Sequence, residues 1–349
     1  MRKAPSSCGR KGILHALGLN RHGKCGKCGE GTSHRRRTFS FEPLEERALL
    51  SVSVWDGDGA NNLWSNPDNW RGGQVPGAND DLVFQGANLT DTQNDLASGT
   101  AFRSLWFRSS DFSISGNDLA VTNRITVGPR ATGATIDVGV ALNGTVQVTV
   151  AGGPLSLSGV VSGSGGLFEN GNGILVLEAG AAYTGNTTIQ GGATLQLGCA
   201  DALPSGQDAG SVRANGTLDL GGYSTTVVGL RGGGLVTSSA PGLATLSVDT
   251  TRSSTFSGVI EDGLGTVALT TVGTGALTLN GENTFSGVVT IGEGSTLRLG
   301  SADALHSDPE VNGTLDLAGY STQLDGLWGS GTVTSSVSGA VMLTVDTSN

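Results

Sequence analysis

Two long segments of this chain are near copies of each other. The matching pairs are ATLQLGCADALPSG (193–206) with STLRLGSADALHSD (295–308), at an offset of 102 residues, and NGTLDLGGYST (215–225) with NGTLDLAGYST (312–322), at an offset of 97. The difference between the two offsets falls between Leu203 and Asn215, which predicts a surface loop there because loops tolerate changes of length. A smaller motif recurs inside the unit, as YTGNTTI (183–189), TFSGVIE (255–261) and TFSGVVT (284–290). Repeats spaced by about 20–50 residues are typical of solenoids and arrays.

The apolar pattern inside the repeat predicts strands with one buried and one wet face. In a strand, residues i and i+2 share a face and residue i+1 points the other way. The leucines stay leucine in both copies, whereas the residue between them changes. We therefore predict that the leucines lie inside and the other residues in water. The buried pairs are Leu195/Leu197, Leu218/Leu220, Leu297/Leu299 and Leu315/Leu317, and the solvent-facing residues are Gln196, Asp219, Arg298 and Asp316.

A single rung of about 20–25 residues cannot offset its own ordering entropy with the few apolar side chains that it buries, so the rungs must stack. The composition agrees, because 58 glycines supply tight turns and aromatic residues make up only 5% of the chain. No sustained helical period follows residue 51. We predict an all-β fold, a right-handed parallel β-helix of about 13 rungs and roughly 60 Å in length, at a strand spacing of about 4.8 Å.

Residues 275–305, GALTLNGENTFSGVVTIGEGSTLRLGSADAL, resemble the autotransporter-associated β-strand repeat. The matching positions are Leu277, Leu279, Gly281, Asn283, Phe285, Gly287, Thr290, Ile291, Leu297, Leu299 and Gly300. Residues 173–203 match as well, with Ala182 in place of the asparagine. The resemblance implies a pectin-lyase-like β-helix in an exported or surface protein, and it implies no reaction.

The first 51 residues differ from the rest in charge. Residues 1–50 hold eleven of the 20 Lys and Arg with four acidic residues, whereas residues 51–349 hold nine Arg and 26 acidic residues, a net charge of −17. We predict that residues 1–51 form a basic, largely disordered export and sorting segment. The Cys25-Gly-Lys-Cys28 pair has half of a zinc site's spacing and lacks a second pair, so it does not predict a metal site.

The stretch FEPLEERALLS (41–51) resembles the Leu-Glu-Pro-Arg-x-Leu-Leu motif of large secreted planctomycete proteins. The matching residues are Leu44, Glu45, Arg47, Leu49, Leu50 and Ser51, with Glu46 replacing the proline. The resemblance implies transport out of the cytoplasm and contact with an export machinery. From the residues themselves, no apolar run is long enough for a transmembrane helix, and the acidic body excludes nucleic acid as a partner.

The body divides into two predicted regions, a Trp-rich entry segment with the first rungs (52–165) and a β-helix with two repeats of about 100 residues (166–349), the second of which is expected to be cut short. Trp55, Trp64 and Trp70 lie within the entry segment. They could stack on sugar rings as a carbohydrate site. We favour the alternative, in which they close one end of the core.

The sequence offers little for catalysis. His306 stands in the variable loop where the first copy has Pro204, and Cys199 is replaced by Ser301 in the second copy. The acidic residues are spread one per rung, so we predict no catalytic, cofactor-binding or metal-binding residue, and no cofactor. The function predicted is a non-catalytic extracytoplasmic structural protein, secreted or on the cell surface, with surface polysaccharide or other cell-envelope proteins as partners. An adhesin or carbohydrate-binding module at the three tryptophans, and a polysaccharide lyase or hydrolase, are the alternatives.

Overall fold

The computed structural model describes residues 51–109 and 111–346. The basic segment, the Cys25/Cys28 pair and the motif at 41–50 lie outside the described residues, so the predictions made for them stay predictions. The described part consists of short strands joined by turns, with one 3₁₀ turn at Pro67–Asn69.

The strands before the first long loop are β1 Val52–Trp55, β2 Asp81–Phe84, β3 Asp91–Asn94, β4 Thr100–Phe107, β5 Phe112–Gly116, β6 Leu119–Val127, β7 Ala134–Ile136, β8 Val140–Leu142, β9 Val146–Val150, β10 Leu155–Leu157, β11 Val161–Gly163, β12 Leu167–Gly171, β13 Ile174–Leu177, β14 Ala182–Tyr183, β15 Thr187–Ile189 and β16 Thr194–Leu197. The strands after it are β17 Val212–Ala214, β18 Thr217–Asp219, β19 Thr225–Val228, β20 Leu230–Arg231, β21 Leu235–Thr237, β22 Leu243–Asp249, β23 Ser254–Phe256, β24 Val259–Ile260, β25 Thr266–Val272, β26 Ala276–Leu279, β27 Val289–Ile291, β28 Thr296–Leu299, β29 Pro309–Val311, β30 Thr314–Asp316, β31 Thr322–Leu324, β32 Thr332–Thr334 and β33 Leu343–Val345.

All pairings within the sheets are parallel, and each joins a strand to one that lies a turn further along the chain. The sheets are β1-β2-β4-β6-β9-β12-β15-β17-β20, joined at its side by β8, β11 and β14; β3-β5-β7-β10-β13-β16-β18-β21-β24; β19-β22-β25-β27-β29; β23-β26-β28-β30-β32; and β31-β33. Below, the sheet that begins with β1 is called the first sheet and the sheet that begins with β19 the third. The chain forms a β-solenoid of about 13 turns, so the predicted all-β parallel β-helix is confirmed. Its right-handed winding and the division at residue 165 stay predictions.

The Leu-x-Leu segments face inward as predicted. All eight leucines of the four pairs are 5% exposed or less, whereas Gln196 and Arg298 are partly exposed. The predicted exposure of Asp219 and Asp316 is wrong, because each is only 5% exposed. Both carboxylates accept hydrogen bonds from backbone N–H groups at a corner of the solenoid, and these contacts shield them from water.

The carboxylate of Asp219 clamps the corner after β18 to the next turn. Its oxygens accept hydrogen bonds from the backbone N–H of Gly221 (2.9 Å) and Ser239 (2.8 Å) and from Nε2 of Gln196 (2.8 Å). Asp316 repeats the arrangement with the N–H groups of Ala318 and Ser336. Burial alone would raise the pKa of Asp316, but the hydrogen bonds from Ser336 and Ala318 and the charge of Arg298 lower it.

We expect Asp219→Ala to lower the free energy of unfolding by about 1 kcal/mol, because two partly buried N–H groups lose their acceptor. Asp316→Ala is expected to act in the same way. The contribution of Asp316 is lost as the pH falls below its ordinary pKa of 3.8, since the unfolded chain takes up the proton first. Urea unfolding measures the change. The control is Asp325→Ala at an exposed position, and an equal effect there would contradict the clamp.

Glycine lines another corner of the solenoid because the backbone of the neighbouring turn lies against it. A Cβ added to Gly234 would lie 2.0 Å from the carbonyl oxygen of Gly216, and one added to Gly258 would lie 1.9 Å from the carbonyl oxygen of Gly234. At Gly281 the corresponding distance, to Gly258 O, is 1.8 Å. Each turn therefore approaches the next more closely than any side chain allows.

The segment where the two copies differ in length is partly a loop. Residues 204–211 contain no strand, as predicted, and Arg252 reaches the carbonyl oxygen of Ala209 (3.4 Å). The last residues of the segment, Val212–Ala214, form β17 and pair with β15. The loop is therefore shorter than predicted, because the inward side chains of Val212 and Ala214 are needed to fill the core.

The sequence repeat and the turn of the solenoid have different lengths. Ile189 pairs with Ala214, and successive pairs lead from there, one turn at a time, to Leu299. Those five turns take 110 residues, whereas the sequence copy of Ile189 is Ile291, only 102 residues on. Ile291 lies in the third sheet, between Thr271 and Val311. Equivalent residues of the two copies therefore lie on different sides of the solenoid.

Candidate functional site

The three tryptophans of the entry segment lie in the core. Trp55 and Trp64 are 0% exposed and Trp70 is 2% exposed. The ring centroids of Trp55 and Trp70 are 5.1 Å apart and nearly perpendicular, and Trp64 packs on Phe84 at 5.6 Å. The prediction of a carbohydrate site at these three side chains is therefore wrong, since no sugar can reach them. Their burial agrees with the favoured alternative, in which they belong to the core, and that they close its end stays a prediction.

The tryptophan that does reach solvent in this region is Trp106 in β4, which is 39% exposed. Its neighbours Leu105 and Phe107 are 0% exposed, so it points outward from the first sheet. The i, i+2 rule that places the leucines of the repeat inside also predicts this outward position. The alternation is interrupted earlier in β4, because Phe102 and Leu105 both lie inside and the register with β6 shifts between Phe102 and Ser104.

Asp81 and Arg103 form an ion pair beside Trp106 on the outer surface of the first sheet. Arg103 donates from Nε to Oδ1 of Asp81 (2.9 Å), and its Nη2 contacts the other oxygen. Ser104 donates from Oγ to the same carboxylate (2.5 Å). Burial alone would raise the pKa of Asp81, but the hydrogen bonds from Arg103 and Ser104 and the charges of Arg103 and Arg124 lower it. The pair stays ionised near neutral pH.

Three further arginines surround Trp106. The guanidinium carbon of Arg108 lies 4.3 Å from the centroid of the Trp106 ring, a cation–π contact. Arg124 pairs with Ser104 in the neighbouring strand, and Arg130 lies in the turn after β6, beside the same cavity as Trp106. Their spacing of about one turn, Arg103 to Arg124 and Arg108 to Arg130, is the sequence signal that could have brought them together. We call Asp81, Arg103, Trp106, Arg108, Arg124 and Arg130 the Trp106 surface.

Two shallow cavities meet at the indole of Trp106. One has a volume of about 320 Å³ and is lined by Val52, Val83, Arg103 and Arg124, among others. The other has a volume of about 570 Å³ and includes Arg108 and Arg130. Cavities of this size hold small ligands or single units of a polymer. The Trp106 surface therefore combines an accessible ring, two recesses and an excess of positive charge.

The other residues considered for chemistry do not form a catalytic arrangement with one another. His306 is an exposed loop residue whose Nε2 lies 3.8 Å from Oδ1 of Asp303, and it borders a cavity of about 520 Å³. Burial, assisted by the charge of Asp201, raises the pKa of the Cys199 thiol, so the nucleophilic thiolate is disfavoured. Within residues 51–109 and 111–346, no three His, Cys, Asp or Glu side chains lie close enough together to hold a metal ion.

A carboxyl group lies inside the solenoid, which the sequence did not indicate. Glu169 in β12 is 0% exposed and stacks between Val148 of the preceding turn and Ile189 of the following turn. Neither carboxyl oxygen has a hydrogen-bond partner in the described part of the chain. Burial raises the pKa of Glu169 to about 8. Glu169 is inaccessible to any ligand, so its effect is on stability.

The comparisons with known proteins give one partial relationship. The chain is 34% identical over 166 residues to the adhesin BmaC autotransporter of Brucella suis biovar 1 (strain 1330). The match covers 44% of this chain and 5% of that protein, so the chain corresponds to a small part of its length. No family model matches, and no solved structure matches. The parallel β-solenoid and this match together fit an autotransporter-associated β-helical repeat.

Among the described residues, no helix has the length and apolar character needed to cross a membrane.

Proposed function

We propose that this chain is part of an exported surface protein whose β-solenoid acts as a non-catalytic, adhesive scaffold. The observation that carries the proposal is the match to an autotransporter adhesin in a chain that folds as a parallel β-solenoid. A solenoid holds its outer side chains in fixed rows, which suits contact with large or repetitive partners.

The side chains on the outer surface support a binding function better than a catalytic one. The acidic groups Asp219 and Asp316 are occupied as corner clamps. His306 and Cys199 lie apart from the Trp106 surface, which contains arginines and an aromatic ring and lacks a paired general acid and base. A polysaccharide-degrading activity therefore remains the weaker candidate.

Export is proposed on the residues that precede the solenoid. The basic segment 1–51 and the motif at 41–51, with its planctomycete-like pattern, are the features that support it. Cell-surface or extracellular localisation and contact with an export machinery remain parts of the same proposal.

Antibody labelling of intact producing cells tests the proposal. Antibodies raised against the solenoid should label intact cells and should inhibit attachment of those cells to polysaccharide-coated surfaces. A cytoplasmic protein labelled in parallel controls for lysis. Labelling that appears only after the cells are permeabilised would contradict surface exposure, and attachment that is unchanged in a deletion strain would contradict adhesion.

A further inference from the structure

We propose that the Trp106 surface binds a carboxylated polysaccharide. The inference rests on the adhesive function proposed above and adds the chemical class of its ligand. It places the binding site on the first turns of the solenoid, which precede the two clear repeat copies in the sequence.

The charge distribution selects an anionic ligand. Residues 51–349 contain nine Arg against 26 acidic residues, yet four of the nine arginines belong to the Trp106 surface. Asp81 neutralises Arg103 through the ion pair, so Arg108, Arg124 and Arg130 supply the net positive charge. On a body with a net charge of −17 this is a local reversal of sign, and it attracts an anion to this one region.

The aromatic ring selects a sugar. A pyranose presents an apolar face of C–H groups and a polar rim of hydroxyls, which matches a partly exposed indole surrounded by polar side chains. Trp106 lines both cavities, whereas Arg108 lines only the second, so the first cavity leaves the indole accessible beside Arg103 and Arg124. Adjacent sugar units of one chain can therefore occupy the two recesses.

The arginines select a carboxylate. Guanidinium groups bind planar carboxylates with two parallel hydrogen bonds, and the Arg103–Asp81 pair already adopts this arrangement on the same surface. Arg124 borders the same cavity, within reach of a sugar packed on Trp106.

An acidic peptide fits less well, because β2, β4 and β6, the strands that carry Asp81, Arg103, Trp106 and Arg124, are each paired on both sides. β4 pairs with β2 on one side and β6 on the other, so no backbone groups remain to bind a peptide as an added strand. A peptide would lie on the face of the sheet with its own N–H and C=O groups unpaired, whereas a polysaccharide has none to satisfy.

Isothermal titration calorimetry of the full chain, with oligomannuronate as the probe, tests the proposal. We expect oligomannuronate to bind and the neutral mannose oligomer of the same linkage and length to bind about tenfold more weakly or not at all. Binding should weaken from about 50 to about 300 mM salt because the charges are at the surface. Trp106→Ala and Arg124→Ala should each lower the affinity by about tenfold.

Matched controls exist for both variants. Trp328 is also exposed (53%), and Arg213 is exposed on the same sheet, so Trp328→Ala and Arg213→Ala should leave binding unchanged. Circular dichroism confirms that each variant is folded. The proposal would be overturned if oligomannuronate did not bind, if the neutral oligomer bound equally well, or if Trp106→Ala left binding unchanged. It would also be overturned if polyglutamate or a sulfated oligosaccharide bound as tightly as oligomannuronate or more tightly.

The binding and cell-attachment experiments together distinguish a failure of the ligand assignment from a failure of the proposed adhesive function. Cell attachment that persists while the purified chain fails to bind oligomannuronate overturns the ligand assignment alone. Binding of oligomannuronate by a protein that never reaches the cell surface overturns the adhesive function and supports the ligand assignment.

Discussion

Replacing Glu169 with valine is expected to stabilise the solenoid by about 3 kcal/mol near neutral pH and by much less near pH 4.5. Valine has nearly the volume of glutamate and repeats the Val148 that lies one turn before it. The gain comes from removing a buried group that must either keep its proton or carry an unpaired charge in an apolar core.

The pH dependence follows from the pKa of Glu169, which is about 8 in the folded chain against an ordinary 4.5. Between these values the unfolded chain releases the proton and the folded chain retains it. The free energy of unfolding is therefore highest, as far as this residue determines it, below pH 4.5. It falls by up to about 1.4 kcal/mol per pH unit as the pH rises, and the fall ends above about pH 8.

Urea unfolding at a series of pH values between 4.5 and 8 measures the effect, and Glu169→Gln isolates the charge from the packing. The glutamine variant should lose the pH slope while keeping part of the cost of a buried polar group. Glu293→Gln, at an exposed position, should leave the slope unchanged. A carboxyl ¹³C resonance of Glu169 that titrates near its ordinary pKa of 4.5 would show that the interpretation is wrong.

Gly258→Ala is expected to lower the free energy of unfolding by about 3 kcal/mol. The new methyl group would lie 1.9 Å from the carbonyl oxygen of Gly234 and 2.7 Å from the ring of Phe256, so two turns must move apart. The hydrogen bond from Val259 N to Gly234 O (3.0 Å) would be strained by the same movement.

Gly233→Ala is the matched control for this substitution. A Cβ at Gly233 meets no atom within 4 Å, so the change should stay within about 0.5 kcal/mol or stabilise slightly by restricting the unfolded chain. Urea unfolding gives the difference, and hydrogen exchange of the β21 and β24 amides should report faster opening in Gly258→Ala alone. Equal stability of the two alanine variants would contradict the close contact at this corner.

The alternation of apolar residues was enough to predict the strands and their buried face. Leu195 and Leu197 are inside because i and i+2 share a face in any strand, whatever the rest of the fold. The burial of Asp219 could not be predicted in this way, because it depends on the N–H of Ser239, which another turn of the solenoid brings to the corner.

The Trp106 surface and Glu169 show a second limit of the sequence. Which arginines meet depends on the register between β4 and β6, including its shift after Phe102, and the sequence does not encode that register locally. Glu169 is inside only because β12 pairs with β9 and β15 in one register out of several. The number of residues per turn of the solenoid varies, so the spacing of two residues in the sequence gives only an approximate indication of whether they are neighbours in adjacent turns.

The mismatch between repeat and turn affects how duplication shapes the surface. Because the copy of Ile189 is displaced to the third sheet, two segments with almost the same residues present them at different azimuths around the axis. An antibody or receptor specific for one copy would meet the other from a different direction, and a single flat partner could not engage both at once. Duplication therefore places copies of one epitope on different sides of the solenoid. The epitope becomes accessible from more directions, but the number of copies that one partner can bind at the same time does not increase.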